Sequence, residues 1–188
     1  MSDNYKYLFS TSSVYNIEKN LKKKMKGFFL MMKAAYAAFD YLKSNTKGEV
    51  IILCGKGNNG GDGYGLGALL IMAGREVKIY KVEDPIKSEA KTALKLCYKL
   101  GIKIKKWSKS LKNSDIYVDA LLGAGINQSP REPYKTIIKQ LIDKKKKGKK
   151  IIALDVPSGV DGTTGVAFNP SVLASTTITF LAMKKGLL

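Results

Sequence analysis

Two apolar runs in this chain each carry an aspartate into a glycine turn. Asp115-Ile116-Tyr117-Val118-Asp119 leads into Ala120-Leu121-Leu122-Gly123-Ala124-Gly125. Ile151-Ile152-Ala153-Leu154-Asp155 leads into Val156-Pro157-Ser158-Gly159-Val160-Asp161-Gly162. A third apolar run, Val50-Ile51-Ile52-Leu53-Cys54, opens onto residues 55–67, which hold seven glycines in thirteen positions. Glycine at that density costs conformational entropy, and is tolerated where backbone approaches something closely or takes positive φ. A strand, a glycine loop and then a helix present backbone N–H groups to a phosphate. The loop Gly57-Asn58-Asn59-Gly60-Gly61-Asp62-Gly63 therefore points to a phosphate-bearing ligand.

Two carboxylates beside an anionic ligand repel it, and a cation between them relieves the repulsion. Hard cations take carboxylate, amide, hydroxyl and carbonyl oxygens. Asn59, Asp119 and Ser158 offer such oxygens from the three run ends. The chain has no histidine, and its two cysteines, Cys54 and Cys97, stand far apart. That composition excludes a His-ligated zinc or a histidine triad and disfavours any soft-ligand metal. An alkali or alkaline-earth ion is expected, and the low ligand charge favours a monovalent one. Acid–base chemistry falls to carboxylates, Lys, Tyr, Cys or water. The two cysteines read as buried thiols of a reducing compartment.

These residues need a frame. Helical periodicity runs from about Ser13 to Leu42, with Phe28, Met32, Ala35, Phe39 and Leu42 on one stripe. Further helices are expected from Gly61 to Ala73 with Gly74 as cap, over Lys87–Leu100, and around Tyr134–Ile142. Strands are expected at Val50–Cys54, Glu76–Lys81, Ile102–Ile104, Asp115–Asp119, Ile151–Asp155 and Thr176–Leu181. Continuously apolar strands alternating with helices predict an α/β fold, a three-layer αβα sandwich whose mostly parallel sheet has helices on both faces. Ligands of such sheets bind at the strands' carboxyl ends, where the three turns lie.

The net charge is +18. The excess is Lys in runs such as Lys22-Lys23-Lys24 and Lys144-Lys145-Lys146-Lys147, with arginine only at Arg75 and Arg131. Base readout and bidentate phosphate recognition favour Arg, so a solvated basic surface is expected rather than a nucleic-acid interface. The apolar stretch Phe28–Met32 continues through Lys33 into an amphipathic pattern, unlike a signal peptide or a membrane span. The cytoplasm is the expected location.

Taken jointly, Gly57–Gly63, Asp119-Ala120-Leu121-Leu122-Gly123 and Asp155–Asp161 resemble the signature segments of the NAD(P)H-hydrate epimerases, the YjeF amino-terminal domain. Thr179-Phe180 with Lys184-Lys185-Gly186-Leu187 is similar to the family's closing segment, and Phe29 through Ala38 to its first helix. One departure is Met32-Lys33-Ala34-Ala35, where the family commonly has an Ala-Gly pair. The resemblance implies one Rossmann-like domain over residues 1–188, cut short at its C-terminus because the family pattern ordinarily runs on into further strand. It implies an isomerase that interconverts the R and S epimers of NADHX and NADPHX at C6, for a separate or fused dehydratase. It implies a potassium ion held by Asn59, Asp119 and Ser158. Substrate contacts are implied at Asn58, Asn59, Gly60, Gly61 and Asp62, at Gly123, Ala124, Gly125, Ile126, Asn127, Gln128 and Ser129, and at Asp155. Asp155 is the expected proton-transfer group, because Asp119 is occupied by the ion, and Asp62 is the second candidate. A homodimer is implied, with Phe28, Phe29, Met31 and Met32 exceeding one core-facing stripe.

Two other readings use the same residues. Gly55-Lys56-Gly57-Asn58-Asn59-Gly60 satisfies G-x-G-x-x-G between strand and helix, with Glu83 and Asp84 near the place of a ribose-binding acid. A Rossmann-type NAD(P)-dependent oxidoreductase follows from that, but it leaves Asp155-Val156-Pro157-Ser158-Gly159 unexplained. A non-catalytic RNA- or nucleotide-binding module of the same fold suits the basic charge. The joint presence of Asn59, Asp119, Asp155 and Ser158 favours the enzyme.

Overall fold

Val50–Cys54 is apolar and buried at every position, as a strand covered on both faces must be. In the computed structural model, which describes residues 7–188, this strand (β1) lies at the middle of a six-stranded sheet. The others are β2 (Val77–Lys81), β3 (Ile104–Lys106), β4 (Ile116–Ala120), β5 (Lys150–Leu154) and β6 (Thr176–Ile178). Their order is β3-β2-β1-β4-β5-β6 and every pairing is parallel. This order reverses direction between β1 and β4, the switch point where doubly wound sheets open a crevice.

Five α-helices connect and cover the strands: α1 (Thr11–Lys24), α2 (Gly27–Asn45), α3 (Asn58–Met72), α4 (Ser88–Lys99) and α5 (Tyr134–Lys146). Ile52, Cys54, Val118 and Ile152 face a core shared with α2, α3 and α4. Ile51, Leu53, Tyr117 and Ile151 face α5. The expected αβα layering with helices on both faces is the observed one. Among the described residues no helix is long and apolar enough to cross a membrane.

Several boundaries differ from those expected from the sequence. The single helix expected from Ser13 to Leu42 is two, broken where Met25 and Lys26 turn extended (φ −145° and −60°). Lys22, Lys23 and Lys24 crowd the last turn of α1, where positive charge suits the helix dipole. A Cβ on Gly27, the first residue after the break, would run into the Glu89 carboxylate. The break folds α1 back toward α4 instead of letting it run off the molecule.

The second difference concerns the glycine loop. Helix α3 starts at Asn58, not Gly61, so most of the predicted loop is helix. Glycine disfavours helix, but here it removes side chains that would block packing. A Cβ on Gly60 would strike the Gly55 carbonyl, one on Gly61 the Met31 thioether, and one on Gly67 the Ile79 side chain. The glycines let α3 lie directly on the sheet and on α2. Third, β3 lies two residues later than expected, and β6 stops at Ile178, so Thr179–Leu181 belong to the edge rather than the sheet.

Candidate functional site

The site is built in two layers at the carboxyl edge of the sheet. The lower layer centres on Asp119. It stands in β4 between Leu53 of β1 and Ala153 of β5 and is fully buried. The Ser158 hydroxyl donates to Asp119 Oδ1 at 2.6 Å and the Ser158 N–H to Oδ2 at 2.8 Å. The Leu121 N–H also donates to Oδ1, at 3.2 Å. Burial pushes the Asp119 carboxyl up to about 6, against the opposing pull of these hydrogen bonds. Ser158 Oγ in turn accepts the Leu122 N–H at 2.9 Å. Asn59 Nδ2 donates to the Leu122 carbonyl at 2.8 Å. The Leu122 peptide groups are thereby stapled from both β5's turn and α3.

Asn59 Oδ1 is buried with no hydrogen-bond partner, and so is Asn58 Oδ1. A buried polar atom left unpaired is uncommon and costly. A cation ligated by oxygen would satisfy Asn59 Oδ1, next to one carboxylate and one hydroxyl. Among the described residues no cluster of three or more His, Cys, Asp or Glu gathers in one place. The donors present are hard oxygens carrying one negative charge between them, which fits a monovalent ion.

The upper layer is set by Asp155, the first residue past β5. Its N–H donates to the Ile178 carbonyl at 2.8 Å, extending the β5–β6 ladder by one bond. Its φ is +65°, a left-handed conformation that Asp tolerates better than most residues. Lys184 Nζ lies 2.6 Å from Asp155 Oδ1. Lys184 is 1% exposed, and its ammonium also donates to Thr179 Oγ1 at 3.0 Å and the Phe180 carbonyl at 3.1 Å. The segment carrying it is paired with the residue before α1's cap: Phe9 N–H donates to Met183 O, and Lys185 N–H to Phe9 O, both at 3.0 Å. Lys184 is the residue that the sequence reading passed over as a site member. Its only signal there is its place in the closing Thr179-Phe180…Lys184 segment.

Between these layers and α1 lies a cavity of about 1070 Å³. Asn58, Asn59, Asp62, Gly123, Ala124, Gly125, Asp155 and Lys184 line it, with Thr11, Tyr15, Glu18 and Lys22 forming the opposite wall. Lys22 bridges Glu18 at 2.7 Å and Glu89 at 3.1 Å, tying α1 to α4. Asp62 keeps a side open to the cavity yet sits deep enough that burial pushes its carboxyl well above the usual range. Asp155 and Glu18 push the same way and Lys22 opposes them.

Not every expected residue is here. Gly60 and Gly61 lie under α3, serving its packing. Ile126, Asn127 and Gln128 line an adjoining depression of about 290 Å³, and Ser129 lines neither. Asp119 and Ser158 lie beneath the floor. Glu83 is held by Lys56 at 3.4 Å and Asp84 by Lys81 at 2.6 Å, and neither lines the cavity. Of the four apolar residues expected to leave a free face on α2, Met31 is buried, Met32 packs by Gly65, and Phe28 joins the core. Phe29 alone is exposed, at 62%.

A parallel sheet in this order, with its cavity at the strand ends and the buried oxygens of Asn59, Asp119 and Ser158 beneath, defines a Rossmann-like α/β domain. Within that class the chain belongs to the family described as YjeF-related protein N-terminus, whose model matches residues 27–186. It is 33% identical over 162 residues to the NAD(P)H-hydrate epimerase of Limosilactobacillus fermentum, covering 84% of this chain and 76% of that one. It is 39% identical over 168 residues to the bifunctional NAD(P)H-hydrate repair enzyme Nnr of Escherichia coli. That match covers 85% of this chain but 31% of the relative, so the chain spans about a third of the bifunctional protein's length. The crystal structure of yeast YNL200c (ynu0) shares the fold, with a TM-score of 0.84 at 21% identity over 96% of this chain and 83% of that one. The matched span leaves out α1, which nevertheless builds a wall of the cavity.

Proposed function

We propose that this chain is an NAD(P)H-hydrate epimerase, an isomerase acting at C6 of NADHX and NADPHX. The observation that carries this reading is the Asp155 carboxylate, fixed through one oxygen and lining a cavity large enough for a dinucleotide. The named relatives support it. C6 bears both a hydroxyl and the ring nitrogen, so inversion must break and remake a bond to it. If the C–O bond breaks, a proton goes onto the departing oxygen, and another leaves the water that adds to the opposite face. If the C–N bond breaks, the hydroxyl loses its proton, the nitrogen takes one up, and both moves reverse on closure. Either route needs one group that gives and takes a proton, and Asp155 is placed to be it. Asp62, whose burial favours its neutral form, is the second donor on the same cavity.

In this reading Asn59, Asp119 and Ser158 would hold a potassium ion, which when bound would supply fixed positive charge to a site that takes an anionic ligand. The chain's own part is to staple Leu122 over those oxygens and to offer Gly123–Gly125 as a wall with no side chain larger than the Ala124 methyl. A dehydratase that uses the S epimer is the partner activity, and a homodimer through the exposed Phe29 and Tyr36 of α2 belongs to the same proposal.

The test is turnover of R-NADHX, coupled to a dehydratase, with and without potassium. Asp155→Asn is expected to lower kcat by about 10²–10⁴-fold, the usual worth of a positioned acid–base group, with an unchanged fold. Near-normal turnover by that variant would sink the assignment, and hydride transfer from NADH by the parent would favour an oxidoreductase.

A further inference from the structure

The cavity's charged side chains are not equivalent. Lys22 faces two acids and Lys56 pairs with Glu83, while among the described residues Asp62 forms no ion pair. The Asp155–Lys184 pair differs from all of these in its asymmetry. The lysine side chain is 2% exposed and the carboxylate 20% exposed. Lysine is almost never fully buried, and an interior ammonium is costly unless every donor is met. Sinking the cation this far costs desolvation that a bracing surface pair does not incur. Here the cation is sunk and the anion is left at the cavity wall.

We propose that Lys184 is a positioning residue for the reaction, fixing one oxygen of Asp155 so that the other is presented to the substrate. This rests on the epimerase reading of the same site. An ammonium has three donors. Lys184 has Asp155 Oδ1 at 2.6 Å, Thr179 Oγ1 at 3.0 Å and the Phe180 carbonyl at 3.1 Å around them, with the Ala182 carbonyl a more distant fourth acceptor at 3.5 Å. No donor remains for a ligand, so Lys184 acts through Asp155 and does not bind substrate itself. Thr179, Phe180 and Ala182 follow β6 and Asp155 follows β5, so the ammonium locks two strand ends together. Asp155 Oδ2 is left on the side of Gly123, about which a Cβ would sit 3.9 Å from it. The left-handed backbone at Asp155 turns its side chain off the strand's regular alternation, and the lysine holds it there. A carboxylate that must give and take a proton at one carbon gains rate from a single fixed orientation, since small misplacements of reacting groups are costly.

The test compares the full chain with Lys184→Met, Thr179→Val, Asp155→Asn and the Lys184→Met/Asp155→Asn double variant, reading kcat, KM and the melting temperature. Lys184→Met is expected to lower kcat about 10²-fold, and Thr179→Val about threefold, with KM within about twofold in both. The double variant is expected to be no slower than Asp155→Asn alone, because the lysine works only through that carboxylate. It also replaces a buried pair by two neutral groups, which folds tolerate. If Lys184→Met does not fold, Thr179→Val and the double variant carry the test. Turnover of Thr179→Val equal to the parent's, or a double variant slower than Asp155→Asn by a further large factor, would overturn the role. A parent that does not turn over R-NADHX overturns the epimerase reading itself, and this role with it.

Discussion

The Ser158 side chain and backbone grip both oxygens of Asp119, the hydroxyl on Oδ1 at 2.6 Å and the N–H on Oδ2 at 2.8 Å. This fork joins the turn after β5 to the carboxyl end of β4 in a fully buried place. Removing the hydroxyl leaves a buried carboxylate short of a donor and the Leu122 N–H short of an acceptor. Ser158→Ala is expected to lower the free energy of unfolding by about 1–3 kcal/mol. Denaturant titration checks this, and a midpoint equal to the parent's would mean that Leu121 and Ser158 backbone donors suffice.

The unpaired Asn59 Oδ1 beneath Leu122 makes a second prediction. An ion that binds only the folded chain stabilises it by mass action, by about 2.7 kcal/mol at a hundred times its dissociation constant. The melting temperature is expected to rise with added potassium and less with sodium or choline at equal ionic strength. Asn59→Ala is expected to remove that difference. Identical melting of the parent in potassium and choline would overturn the assignment of the pocket to this ion.

Much of this frame is legible in the residues themselves. Val50–Cys54 and Ile151–Leu154 are apolar without interruption, which only a strand covered on both faces requires. Such strands put Asp119, Asp155 and Ser158 on one edge, and the observed sheet does so. What stayed hidden depends on contacts between distant segments. Nothing local marks Lys184 among so many lysines, because its burial is set by Asp155 and Thr179 folding around it. The break at Met25 and Lys26 is likewise decided by where Glu89 meets Gly27 and Lys22. The glycines of residues 57–63 suggested a ligand loop, whereas several are explained by the packing of α3 against neighbours the sequence does not reveal.

That distinction can be measured glycine by glycine. A Cβ on Gly60 meets the Gly55 carbonyl, whereas one on Gly57 meets nothing within 4 Å. Gly57 is the N-cap and Gly60 lies in the first turn of α3, so local propensity favours alanine at Gly60 and not at Gly57, and only packing predicts the opposite order. Gly60→Ala is expected to destabilise the fold by about 1–3 kcal/mol or more, as overpacking against fixed backbone does. Gly57→Ala is expected to melt within a few degrees of the parent. Thermal unfolding of the two proteins checks the pair, and equal melting would show that α3 can shift away from Gly55 at little cost.

Asp62 makes a prediction whose sign follows from linkage. Burial raises its carboxyl in the folded chain well above the value it has when unfolded. The folded state therefore holds this proton over a pH range in which the unfolded state has lost it. Stability from this group is complete below the unfolded value, near pH 4, and falls as pH rises toward the folded value. Asp62→Asn keeps a neutral side chain of the same shape and does not titrate. The parent and the variant are expected to unfold alike near pH 4, with the variant progressively more stable than the parent toward pH 8. Urea titrations of both proteins across that range check the divergence. Parallel curves would mean that the folded chain opens enough water to Asp62 to ionise it at its ordinary pH. The same substitution removes a proton donor from the cavity, so a gain in stability at pH 8 is expected to come with a loss of turnover. A strained or desolvated group kept at a site of chemistry commonly shows that opposition.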